Sequence, residues 1–511
     1  MEGSPSPPES SRGNRVALGY PPRPGGDVRL SEHPLLGKTT RALLVMVGAL
    51  AVPYATPKLR PLRVVAMPWE TPVAADDERP AAMSLQAPPP PEGEQPLPAS
   101  DNTPTINNAL PVESHATLPE VDGIVRGTLR DVAVEDPTGH ALDAFLAQLA
   151  RTDRREAGAV TRILHYGDST IASDYISGTA RRRLQARFGD AGHGFVLIAN
   201  PWQWYFHNDV WHGANGEWTV SRLAGPLAPD RMYGLGGASF TSYGGGLATF
   251  GTATQGDFGR KVSRFDLYYL EQPGGGDVEL TVRGAPPERF STRGIEKVSR
   301  VHSVHALDGD SRLTVRAAGG GPVRLFGVAL ERDQPGIVYD ALGSHAAMAS
   351  HWQRQDAAHW KDQLALREAS LVILEYGTNE SDLQRFDRDE YERAFGGLID
   401  ELRDAAPSAS ILVAAPLDRA EQRDGRLVTR RVMLDLVAIQ RRVALSHGAA
   451  FWNTFEAMGG EGSMVRWYRA RPQLGGPDLT HPTPRGAQVL GDMLSGALIQ
   501  AYEKRAASVA R

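Results

Sequence analysis

The C-terminal part of the chain alternates short apolar runs with longer amphipathic stretches. In order these are "GIVYDALG", "WKDQLALREA", "LVILEYG", "EYERAFGGLIDELRDA", "SILVAAP", "RRVMLDLVAIQRRVALSHG", "AAFWNT" and "PRGAQVLGDMLSGALIQAYEKR". A strand that is apolar without alternation is buried on both faces, and strands separated by helices run parallel. The pattern therefore predicts a parallel sheet with helices on each side. Farther upstream, "ALDAFLAQLARTDR" has helical spacing, "AVTRILHYG" reads as a strand ending in a Gly turn, and "DYISGTARRRLQARFGD" reads as a helix. These are the opening elements of the same sheet.

The strand expected next is delayed. Residues 200–335 are rich in Gly and carry short alternating runs such as "KVSRFDLYYLE", "DVELTVRG", "SRLTVRAAG" and "VRLFGVALE", which predict an inserted all-β sandwich. The α/β domain is thus expected in two parts, residues 135–199 and 336–505. Residues 1–40 and 56–134, with the tract "QAPPPPEGEQPLP", are too poor in apolar groups to repay the entropy of ordering and predict a disordered N-terminal segment and a Pro-rich linker. Between them, residues 41–55, "RALLVMVGALAVPYA", form an apolar run flanked by Lys38 and Arg41 and interrupted by Pro53. It is short for a membrane span, which takes roughly 20 residues. It predicts a signal peptide or signal anchor, or else a buried or partner-bound helix.

Composition narrows the chemistry. The 511 residues carry a net charge of -5 and no dense Lys/Arg stripe, so no nucleic-acid partner is expected. There is no cysteine, which removes disulfides, thiolate metal sites and cysteine nucleophiles. The histidines, including His165, show no spacing with carboxylates that suggests a metal site, and no cofactor is expected.

Ligands in parallel sheets sit beyond the strand C-termini. There the chain places Gly167-Asp168-Ser169 after the first strand, Gly343 after the second, "EYGTNES" with Gly377 and Asn379 after the third, and "PDLTHPTPRG" with Asp478 and His481 before the last helix. Each piece alone is short enough to arise by chance, but all four fall along one edge. A serine hydroxyl needs a base to become a nucleophile, and an imidazole oriented by a carboxylate serves near neutral pH. The Ser169 and Gly343 backbone N–H groups and the Asn379 amide are donors of the type an oxyanion requires.

In this order, Gly-Asp-Ser, Gly, Gly-x-Asn and Asp-x-x-His resemble the SGNH (GDSL-type) hydrolase superfamily over about residues 135–505. The resemblance implies a three-layer α/β/α, flavodoxin-like sheet, with Ser169 as nucleophile, His481 as base, Asp478 as its partner, and Ser169, Gly343 and Asn379 forming the oxyanion hole. Gly236 and Gly237 in "YGLGGASF" compete with Gly343 for that role. Thr170 replaces the usual Leu, and Glu380 follows Asn379 where Asp is common. With the β insertion and "RRLQARFGDAGHGF", the chain is similar to bacterial peptidoglycan O-acetylesterases, in which the insert resembles a carbohydrate-binding module. That implies an O-acetylated glycan substrate in the cell envelope.

Trp202, Trp204, Trp211 and Trp218 crowd "PWQWYFHNDVWHGANGEW". Their flat rings, each with one donor, suit stacking on a sugar, and they equally suit packing at a domain junction. The leading expectation is a serine esterase acting on O-acetyl esters of a polysaccharide. The rivals are an O-acetyltransferase using the same triad and a non-catalytic glycan-binding envelope protein.

Overall fold

The computed structural model describes residues 123–509. The segments expected over 1–40 and 41–55, and most of the linker expected over 56–134, lie outside the described residues. The end of that linker is folded. Residues Gly123–Arg126 form a short helix with Val125 buried, and Trp452 Nε1 donates to the Val132 carbonyl at 2.9 Å.

The parallel sheet comprises β1 (Val160–Gly167), β2 (Gly336–Gly343), β3 (Leu371–Glu375), β4 (Ser410–Ala414) and β5 (Ala450–Trp452). Its strand order is β2-β1-β3-β4-β5, all parallel. Alternate residues serve opposite faces. Ile163, Tyr339, Ile373 and Leu412 pack under α1 (Asp143–Asp153), α2 (Ile176–Phe188) and α6 (Pro484–Val509). Leu164, Tyr166, Leu374 and Val413 pack under α3 (Ala357–Arg367), α4 (Arg388–Ala405) and α5 (Val432–Ser446). This is the expected three-layer α/β/α architecture.

The helices form where the sequence supplies both a stripe and a start. In α4, Tyr391, Phe395, Leu398, Ile399 and Leu402 make one buried face. Asp387 caps it by accepting the Asp389 and Glu390 N–H groups, and Asp389 and Glu390 then favour the positive end of the helix dipole.

The insertion is two antiparallel sheets, one of six strands and one of five. Their first strand, Gly194–Leu197, precedes residue 200 and pairs with Val323–Glu331. Its four residues are buried throughout, so their pattern carries no alternation to mark an antiparallel partner. The apolar core of this module, including Phe195, Phe240, Leu267 and Val328, is continuous with the α3–α5 face of the parallel sheet.

Candidate active site

Register sets the edge of the site. Gly167 lies opposite Gly343 on one side and Glu375 on the other, so β2, β1 and β3 end in one row. Immediately beyond β1 the chain turns into the short helix Ser169–Ala172. Asp168 caps it, accepting the Thr170 N–H at 3.0 Å and the Thr170 hydroxyl at 2.9 Å. That cap fixes Ser169 on the first residue of a turn, where backbone N–H groups have no acceptor within the helix.

Ser169 Oγ stands 2.7 Å from His481 Nε2, and His481 Nδ1 stands 2.6 Å from Asp478 Oδ2. The second Asp478 oxygen accepts the backbone N–H groups of Thr480 and His481, both at 3.1 Å. Asp478 thus holds its own loop as well as the imidazole. Burial raises its carboxyl, but these hydrogen bonds, led by that of His481, outweigh it and bring it down to about 2. The Asp478 bond raises the His481 imidazolium, with burial opposing. An imidazole so oriented can take a proton from Ser169 and return it to a leaving group.

Asn379 follows β3 and precedes the turn Glu380–Asp382. One of its two amide hydrogens is committed, since Nδ2 donates to the Ala347 carbonyl at 2.7 Å. The other remains for a ligand by stoichiometry. Buried Glu380 braces the same pair of loops from behind, accepting the Ala349 N–H at 2.8 Å. Arg419 ties the Asn379 loop to the His481 loop. It donates to the Thr378 carbonyl at 3.1 Å, to Ser381 Oγ at 2.7 Å and to Thr480 Oγ1 at 2.9 Å.

Gly343 has a packing reason to lack a side chain. A Cβ there would run into the Ala172 backbone nitrogen and come within 2.5 Å of the Ile171 carbonyl carbon. The helix carrying Ser169 therefore rests directly on β2. Gly236 and Gly237 lie instead against Leu197 and Leu223.

The tryptophans divide. Trp202 and Trp204 converge on His345, with ring centroids 6.3 and 5.1 Å from it. His345 lies two residues past Gly343, and the charges of His481 and Asp168 act on it. Trp211 is 44% exposed, with the Arg312 guanidinium 4.7 Å from its ring centroid. Trp218 is buried and donates to the Leu247 carbonyl at 3.2 Å. A cavity of about 510 Å³ in the module is lined by residues including Tyr205, His207, His212 and Trp218, and none of Ser169, Asp478 or His481 borders it. Among the described residues no group of three or more His, Asp or Glu side chains is arranged to hold a metal ion.

His345, Glu380 and Arg419 were not among the residues expected to form the site. His345 carried one usable signal, its place directly after a strand-terminal Gly-Ser. Arg419 carried none, because it comes from a loop after β4 whose approach to His481 is set by the fold.

The model of the GDSL-like lipase/acylhydrolase family matches residues 309–489. The match spans Gly343, Asn379, Asp478 and His481, and leaves Ser169 upstream. No curated protein matches the chain by sequence. Among solved structures, a peptidoglycan O-acetylesterase matches at 25% identity and a TM-score of 0.62, over 73% of this chain and 99% of that one. A family two carbohydrate esterase from Cellvibrio japonicus matches at 13% identity and a TM-score of 0.25, over 57% of this chain and 98% of that one. An acetyl-xylooligosaccharide esterase from Geobacillus stearmophilus matches at 19% identity and a TM-score of 0.25, over 31% and 71%. Family match, sheet order and motif placement agree: the chain carries a GDSL-like lipase/acylhydrolase domain with the SGNH hydrolase fold, interrupted by a β module and similar to a peptidoglycan O-acetylesterase.

Proposed function

We propose that the protein is a serine esterase that removes O-acetyl groups from a cell-envelope polysaccharide. The observation that carries this reading is the continuous Ser169–His481–Asp478 hydrogen-bonded chain, with contacts of 2.7 and 2.6 Å. In the proposed reaction Ser169 Oγ attacks the acetyl carbonyl carbon while His481 Nε2 takes its proton. The tetrahedral oxyanion is held by the Ser169 and Gly343 N–H groups and by the uncommitted Asn379 amide hydrogen. Collapse expels the sugar oxygen, which takes the proton from His481 and leaves acetyl-Ser169. Water then attacks through the same base, releasing acetate and restoring the serine.

The similarity to a peptidoglycan O-acetylesterase supports the acetyl group and the envelope glycan. The grouping of Trp202 and Trp204 beside His345 supports a sugar seated next to Ser169. In this reading residues 41–55 export or anchor the protein.

The test compares the full chain with its Ser169→Ala variant on an aryl acetate and on an O-acetylated peptidoglycan. Acetate release should fall by a factor on the order of 10⁴ or more in the variant. Equal rates would overturn the esterase reading. Acetyl transfer to a glycan hydroxyl outrunning acetate release would instead make the enzyme a transferase, because the same acyl-serine can be resolved by either nucleophile.

A further inference from the structure

A hairpin fastened to the His481 loop carries a row of arginines on one face. Between β4 and α5 the chain forms two short antiparallel strands, Ala420–Arg423 and Arg426–Thr429. Asp424 and Gly425 join them, both at positive φ, as a tight two-residue turn requires. The root of the hairpin is held to the catalytic edge. The Ala420 N–H donates to the Leu479 carbonyl at 2.9 Å, inside the loop that carries Asp478 and His481. Arg419, one residue earlier, spans the Asn379 and His481 loops through Thr378, Ser381 and Thr480.

Strand alternation sorts the side chains. Ala420 and Thr429 turn inward and are buried. Thr429 Oγ1 donates to Asp418 Oδ1 at 2.8 Å and accepts the Gly462 N–H at 2.6 Å. The other face takes Arg419, Glu421 and Arg423 from one side of the hairpin and Arg426, Val428 and Arg430 from the other. Arg423 stands directly opposite Arg426. The Arg430 N–H donates to the Arg419 carbonyl at 2.7 Å, so like charges meet across the hairpin twice. Such pairs weaken an already marginal two-stranded ribbon. In sequence these arginines lie three or four residues apart and form no run; the fold makes them a row.

Two carboxylates serve these four guanidinium groups. Asp382, in the turn after Asn379, pairs with Arg419 at 2.7 Å and also with Arg430. Glu421 pairs with Arg430 at 3.2 Å and also with Arg423. Arg426 is exposed and forms no ion pair among the described residues. Even with Asp424 of the turn counted, the row is cationic in excess, on a chain whose net charge is -5. Its inner end, Arg419, sits between the loops of an oxyanion donor and the base. Its outer end, Arg423 with Arg426, lies four residues farther along the strand, about 13 Å at about 3.3 Å per residue.

We infer that this face is a docking rail for carboxylates carried by the glycan beyond its acetylated unit, with Arg423 and Arg426 as its specificity-determining residues. A guanidinium fork pairs bidentately with a carboxylate, and an anion between two opposed forks turns their repulsion into attraction. Because the forks stand out from Arg419, the group they hold belongs to a neighbouring part of the polymer rather than to the reacting ester. This rests on the esterase reading for what the rail is used for. The carboxylates sit either on sugar rings, as in uronates, or on peptide branches, and the two sources are separable by experiment.

The test measures binding to the full-length Ser169→Ala protein by calorimetry. The probes are O-acetylated hexagalacturonate and its methyl ester, and an O-acetylated peptidoglycan fragment with its peptide carboxylates free or amidated. At least one charged form should bind about tenfold or more tightly than its neutral counterpart, and the preference should shrink at raised ionic strength. It should vanish when Arg423→Gln and Arg426→Gln are added together. It should persist in part with Arg423→Lys and Arg426→Lys, which keep the charge and guard against a disturbed hairpin. A preference confined to the hexagalacturonate pair puts the carboxylates on the rings, and one confined to the peptidoglycan pair puts them on the peptide. Equal binding within both pairs, no binding of any charged probe, or a preference that survives the double Gln variant would overturn the inference. Acetate release by the parent protein judges the esterase reading separately, so a carboxylate preference without hydrolysis would refute that reading and leave the rail standing.

Discussion

His481 draws its basicity from Asp478, and the sign of that coupling dictates how activity should respond to pH. A proton acceptor must start neutral, so turnover should rise as pH climbs through the His481 pKa, which the Asp478 bond holds above the ordinary 6.5. Replacing Asp478 with Asn removes the charge that favours imidazolium. The rising limb of kcat/KM against pH should then move to lower pH, while the plateau falls by a factor on the order of 10²–10⁴ as the tautomer is lost. An unchanged limb would show that Asp478 does not govern the base. At this scale the Asp-x-x-His spacing was legible because both partners lie in one loop and meet within three residues. His345, Glu380 and Arg419 were not, because each acts through contacts that only the folded edge of the sheet creates.

At the scale of elements, the seat of Ser169 is decided by how closely the helix Ser169–Ala172 rests on the end of β2. A methyl group on Gly343 would collide with the backbone of that helix, and overpacking of this kind typically costs about 1–3 kcal/mol. Gly343→Ala should therefore melt at only a moderately lower temperature, yet lose about 10²-fold in kcat/KM, since a shift of about 1 Å at the nucleophile carries that penalty. Parallel assays of melting and turnover check this. Equal, small effects on both would mean that the helix can yield without disturbing Ser169. The glycine was legible in sequence as a candidate oxyanion donor, while its steric duty was hidden, because nothing local to "DALG" reveals the backbone lying across it. Strand Gly194–Leu197 was missed for a related reason: burial on every side erases the alternation that marks antiparallel pairing.

For the molecule as a whole, a buried ionic cluster joins the module to the sheet. Arg367 of α3 pairs with Asp340 of β2 at 2.6 Å and with Glu331 of the module at 2.5 Å. Arg162 of β1 reaches Glu331 at 2.9 Å, and Asp340 also accepts the Phe195 N–H at 2.8 Å. Arg367→Met would leave Asp340 buried without a cation and strip Glu331 of one of its three, at a cost of about 3–5 kcal/mol measurable by urea unfolding. Burial raises the Glu331 carboxyl, but Arg367, Arg162 and Arg264 outweigh it and hold it far below the ordinary carboxylate range. A carboxylate depressed by folding stabilises fully above its unfolded pKa, about 4.3, and loses that contribution as pH falls toward the folded value. Glu331→Gln should thus be less stable than the parent at neutral pH, with the gap narrowing on acidification below about pH 4. A constant gap would show that the Glu331 charge is not what binds the two parts. The two-part α/β layout and the all-β character of the insertion were readable from periodicity, but the contacts that lock them together pair residues too distant in sequence for any pattern to couple.

The Ser169–His481 contact bridges 312 positions, with the entire β module between them. On a ribosome the serine emerges long before its base. No chain that stops short of His481 can assemble the pair, however well its own portion has folded. Synthesis through His481 is in this sense the first switch on the chemistry, and a truncation that removes the Asp478–His481 loop and the helix Pro484–Val509 is expected to yield a protein that retains its module and lacks its activity.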